Sequence, residues 1–144
     1  MATFRHATPG SILASRRIII SDALADTGNT DFKVQQPANS TLDSVVFRCL
    51  DDITLATSGN VSFRVGTSAF GGVDAVTSTT WASSQTSLAA GAVKLADGAA
   101  GVRSNNHSAV LATDERDLFV RLATTADITT NGRIEATFVF RIFD

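Results

Sequence analysis

The chain has 144 residues, 44% of them hydrophobic and 18% charged, with 12 Lys plus Arg against 14 Asp plus Glu and a formal charge of −2. That length fits one domain able to bury roughly two thirds of its unfolded surface, and the charge balance lacks the basic field that gathers phosphates, so nucleic-acid binding is not expected. No apolar run approaches the roughly 20 residues of a membrane span, and Met1-Ala2-Thr3-Phe4-Arg5-His6 does not open a signal peptide, so no membrane association and synthesis in a cytoplasm are expected.

Residues 1–14 carry Pro9-Gly10 and little periodicity, and read as an N-terminal arm that is ordered where something holds it. Residues 15–144 read as a single β-sandwich domain. Its first strand is expected from Ser15 to Ser21, followed by the turn-rich Asp26-Thr27-Gly28-Asn29-Thr30 and the short run Phe32-Lys33-Val34-Gln35. Pro37 breaks the chain before a stronger strand from Leu42 to Leu50. In it Cys49 shares a face with Val45 and Phe47; as the single cysteine it forms no internal disulfide and is expected to be buried. Val61, Phe63 and Val65 then alternate with Ser62 and Arg64, the pattern of a half-exposed strand.

From Gly66 to about Asn106 the texture turns to Ala, Gly, Ser and Thr, with Trp81 as the single large residue. Ser87 to Ala96 reads equally as a short helix weakened by Gly91 or as a strand near Val93 to Leu95. Strands follow at Ser108 to Thr113, Asp117 to Ala123 and Arg133 to Phe143, the last two flanking the turn signal Asn131-Gly132 as a closing hairpin. Ile134, Ala136, Phe138, Phe140 and Ile142 form one face of the final strand, and Arg133, Glu135, Thr137, Val139 and Arg141 the other. Leu118, Val120 and Leu122 make the matching face of the preceding run. The fold class is therefore all-β: an antiparallel β-sandwich of jelly-roll or Greek-key type with about seven or eight strands.

Few residues carry a recognisable chemistry. Leu24-Ala25-Asp26-Thr27-Gly28 resembles the aspartic-protease signature, whose mechanism needs two aspartates and hence a dimer of this chain, but the same string is an ordinary turn. His6 and His107 stand far apart, and with Cys49 they supply too few ligands for zinc and no convincing hydrolase set. Two oxygen-rich turns, Asp26/Asn29/Asp31 and Asp114/Glu115/Asp117, lack EF-hand spacing and are explained by capping and ion pairs, so no metal or cofactor is expected.

The segment Ile18-Ile19-Ile20-Ser21-Asp22-Ala23-Leu24, the run Phe32-Lys33-Val34-Gln35-Gln36-Pro37, the Ala/Gly/Ser-rich middle and the ending Asp117-Leu118-Phe119-Val120-Arg121-Leu122 plus Arg133 to Asp144 resemble the small virion structural proteins of tailed bacteriophages of cyanobacteria and other marine bacteria. The resemblance implies a non-enzymatic capsid decoration, or cement, protein on the exterior of the virion. Its partner would be the major capsid protein, and its own state a homo-oligomer, with a trimer favoured. Candidate contacts are Phe4 and Arg5 of the arm, Ile12, Trp81, and the outward Val139 and Arg141. Two alternatives stand beside this: a head-fibre or tail host-recognition module that stacks carbohydrate on Trp81, and the dimeric protease that uses Asp26.

Overall fold

Apolar residues recur at every second position through most of the chain, and that period places one face of each segment in a shared interior. A computed structural model describes residues 11–96 and 111–143. It contains β1 (Ser11–Ile20), β2 (Asn29–Gln36), β3 (Ser40–Cys49), β4 (Ile53–Gly66), β5 (Val76–Leu88), β6 (Val93–Ala96), β7 (Leu111–Ala112), β8 (Arg116–Thr124), β9 (Ile128–Thr130) and β10 (Ile134–Phe143), with no helix among the described residues.

The strands form two sheets. The first runs β1-β10-β3-β6, with β7 also paired to β3; the second runs β2-β8-β4-β5, with β9 also paired to β4. Setting aside the short β7 and β9, the first strand pairs with the last, the second with the next to last, and so inward to the β4–β5 pair, always antiparallel. That nesting of successive pairs is a jelly roll.

Between the sheets lie Phe47 from β3, Phe63 from β4 and Phe138 from β10, all buried. Phe47 and Phe63 meet across the sandwich with ring centroids 4.1 Å apart, and Phe138 approaches Phe47 edge-on at 6.3 Å. Each buried ring contributes about 1.5–3 kcal/mol of transfer free energy, so these three are principal determinants of the core. Cys49 is buried on the same face as Val45 and Phe47, as expected. Ile134, Ala136, Phe138 and Phe140 are also buried, while Ile142 at the strand end is only half covered.

Several boundaries differ from the sequence reading, most plainly in three places. The strand expected from Ser15 begins at Ser11, so residues 11–14 pair with Phe140 to Phe143. The stretch Ser87 to Ala96 contains no helix: β5 extends to Leu88 and β6 follows as a strand. Of the strand expected over Ser108 to Thr113, only Leu111–Ala112 is β structure, residues 108–110 being outside the described residues.

The expected closing hairpin is not formed. β8 and β10 stand in opposite sheets, and the chain between them first adds β9 to β4. Asn131-Gly132 is thus the corner where the chain changes sheets. A two-residue hairpin turn requires abutting strands, whereas Thr125 to Thr130 intervene here. Both apolar faces still point into one interior, which they reach from opposite sides.

Candidate assembly surface

The register lines up side chains in rows across the sandwich's two outer faces, and these faces differ in chemistry. On the second sheet, Asp31 accepts from Arg121 Nε and Nη2 at 2.7 and 2.8 Å, and Glu115 accepts from Gln35 at 2.8 Å. Lys33 lies 3.5 Å from Asp117 and 5.1 Å from the Phe119 ring centroid. This surface pairs its own charges.

The first sheet presents rows of another kind. Strand pairing sets Ile19 beside Glu135, Arg48 and Val93; Arg17 beside Thr137, Val46 and Leu95; Ser15 beside Val139 and Ser44; and Leu13 beside Arg141, Thr41 and Leu111. Large apolar side chains stand exposed at the row ends: Leu13 at 58%, Ile19 at 47%, Val93 at 57%, Leu95 at 48% and Leu111 at 46%. Between them Glu135 lies 3.4 Å from Arg17 and Arg141 3.7 Å from Asp43, and Arg48, Val46, Thr137, Val139, Ser44 and Thr41 complete the rows. Among the described residues all ten strands belong to the two sheets, and none of them lies over this face. Exposed apolar side chains along both edges of a sheet face, with charge between them, are suited to contact with protein.

Trp81 lies elsewhere. It sits in β5 with its indole 6.1 Å from the Phe47 ring, partly buried against the core. Its exposed part lines an open groove of about 570 Å³ with Ser83, Gln85, Leu88 and Val93.

Asp26 is exposed, and its Oδ1 accepts the Ile128 N–H at 2.7 Å, while Thr27 donates to Asp127 and Thr124 N–H to the Gly28 carbonyl at 3.0 Å. The Asp-Thr-Gly string is thus a turn stitched to the β8–β9 connection. Cys49 donates to the Asp51 carbonyl at 2.9 Å, and burial pushes its thiol up to about 11, which leaves it protonated at neutral pH. His6 and His107 lie outside the described residues, among which no three His, Cys, Asp or Glu converge as a metal site.

No protein-family model and no curated protein matches the chain. Solved structures do. The entire chain superposes on 91% of a chain from the capsid of Ralstonia phage GP4, with a TM-score of 0.55 and 16% identity. Similarly, 99% of it superposes on 96% of a chain from the cyanophage Pam1 capsid asymmetric unit, with a TM-score of 0.50 and 15% identity. At such identities the likeness is one of fold. The chain has the jelly roll of a phage capsid chain.

Of the residues singled out in the sequence, the structure places Val139 and Arg141 on the outer face of β10, whereas Ile12, in register with Ile142, stands on the other face of the first sheet. Val139 is half-buried beside Ser15 and Ser44 and faces away from the second sheet. Trp81 is not part of this group, and Phe4 and Arg5 lie outside the described residues. The exposed Leu13, Ile19, Val93, Leu95 and Leu111 were not singled out. A signal existed for one pair: in Val93-Lys94-Leu95-Ala96 both Val93 and Leu95 fall on the same side of a strand.

Proposed function

We propose that the chain is a non-enzymatic structural protein of a phage virion, a decoration protein that binds the outer surface of the head by the outer face of its first sheet. The observation that carries this reading is the whole-chain match in fold to capsid chains of nearly equal span. It is supported by the outer face of the first sheet, where five large apolar side chains stand exposed. The partner is the major capsid protein, and a homo-oligomer, a trimer in the favoured form, multiplies weak contacts into avidity. Phe4 and Arg5 of the arm are proposed as further contacts to the capsid or to a neighbouring subunit.

The test is occupancy on heads purified without the protein from the virus that encodes it. Ile19→Asp with Leu95→Asp is expected to reduce occupancy at least about tenfold, while Lys33→Ser on the second sheet leaves it unchanged. Loss by the Lys33 variant alone would move the contact to the other face. Failure of the unaltered protein to bind heads would overturn the reading.

A further inference from the structure

The sandwich has open edges, and they are not equally protected. β6 is only four residues long. β5 meets β4 through repeated register shifts and carries Ser84 at φ 53°, so its edge is bent. β2 exposes Asn29, Asp31, Lys33 and Gln35 on its outward side. Short length, bulges and charge are the usual protections of an edge against pairing.

β1 has none of the first two. It pairs with β10 over ten consecutive residues without a shift, and no strand among the described residues lies beside its other edge. Ile12 at 57%, Leu13 at 58% and Ile19 at 47% stand exposed along it, on both faces of the strand. Such a long, regular, apolar edge offers main-chain donors and acceptors together with side-chain contacts, the requirements of strand addition.

Arginine decides what such a strand must carry. Arg17 is held by Glu135 at 3.4 Å. Arg16, paired in register with Phe138, is exposed on the core-facing side of the strand and has no ion-pair partner among the described residues. The strand Ser-Ile-Leu-Ala-Ser-Arg-Arg-Ile-Ile-Ile contains no acid.

A second copy of β1 does not satisfy it. Two-fold antiparallel pairing must keep outward residues opposite outward residues. With near-full overlap, this leaves Arg16 opposite the other copy's Arg16, or opposite Ala14 with the second Arg16 on the diagonal. Either arrangement sets like charges together, which destabilises a strand pair. Residues 1–10 hold no acid either.

We infer that the β1 edge is a strand-accepting site for an extended segment of another protein, with Asp or Glu opposite Arg16 and apolar residues to either side. This stands apart from head binding by the outer face, because it is measured on the isolated protein.

The probe is a fluorescein-labelled, acetylated and amidated peptide, TVTVEVTVT, compared with its central-Lys counterpart and with a copy N-methylated at alternate residues. The Glu peptide is expected to bind at least about tenfold more tightly than the Lys peptide, and the N-methylated copy to lose binding because one edge of its backbone can no longer donate. Arg16→Glu reverses the preference, and Arg16→Ala, which leaves the apolar edge intact, removes it. Equal binding of the Glu and Lys peptides, undiminished binding of the N-methylated copy, or no binding by any of them overturns the inference. In the last case Arg16 is a guard that keeps the edge unpaired.

Discussion

Leu24 and Asn131, 107 positions apart, exchange two hydrogen bonds: the Leu24 N–H donates to Asn131 Oδ1 at 3.3 Å, and Asn131 Nδ2 donates to the Leu24 carbonyl at 2.7 Å. The Ala23 N–H adds a third contact, to the Gly132 carbonyl at 2.9 Å. One side-chain amide thereby fastens the β1–β2 corner to the β9–β10 corner, the two places beside which the first and last strands leave the first sheet. Asn131→Ala removes both side-chain bonds to Leu24, and the one its Oδ1 accepts from the Gly132 N–H at 2.9 Å, and is expected to cost about 1–3 kcal/mol. Gly132→Ala acts sterically, since a Cβ there would lie 2.9 Å from Asp51 Cβ and 3.2 Å from Ile53 Cγ1. It too is expected to cost about 1–3 kcal/mol. Urea unfolding of both variants checks this, and wild-type midpoints would show that the corner contributes nothing.

The same corner carries a pH dependence. Asp51 accepts from Arg133 Nε at 2.8 Å, Nη2 at 2.9 Å and the backbone N–H at 3.0 Å. The side-chain hydrogen bonds from Arg133, with its backbone N–H, hold the Asp51 carboxyl down to about 2 from an ordinary 3.8. The folded state thus favours the ionised form, so the carboxylate's contribution is whole above the ordinary value and disappears as pH falls through 3.8 toward 2. Asp51→Asn is expected to be less stable than wild type at about pH 6, with the gap in urea midpoint closing as pH falls to about 2. A gap that stayed constant would mean that the carboxylate's charge is not involved.

Phe138 and Thr137 test the faces of β10 directly. Phe138 is fully buried against Phe47, whereas Thr137 sits half-exposed beside Arg17 and Val46 on the outer face. Phe138→Ala is expected to cost about 3–5 kcal/mol and Thr137→Ala less than about 1 kcal/mol. Equal losses by chemical denaturation would reverse the assignment of the faces.

These faces were legible in the sequence because alternation in Arg133 to Phe143 and Asp117 to Ala123 reports which side of a strand is buried. It does not report which sheet supplies the cover, and so β8 and β10 looked like a hairpin although they face each other across the core. The outer apolar rows were hidden for a related reason. In Ile18-Ile19-Ile20 every position is apolar, and only pairing with Ala136, Glu135 and Ile134 separates Ile19 from its neighbours. The Asn131 contact to Leu24 joins residues so distant that no local pattern encodes it.

Trp81 separates the surface from the core by a different route. Its indole lies against Phe47 of the core, and the residue also lines the groove with Ser83 and Gln85. Trp81→Ala is expected to destabilise by about 3 kcal/mol, the lower part of the range for large aromatic truncations because the residue is only partly buried. Trp81→Phe keeps a ring against Phe47 and should lose much less. Since the groove meets the outer face of the first sheet only at Val93, with Trp81 itself in β5 of the second sheet, both variants, once folded, are expected to occupy heads like wild type, and neither should change binding to a glycan array. A folded Trp81→Phe that lost glycan binding present in wild type would place ligand recognition in the groove, and would return the host-recognition reading to first place.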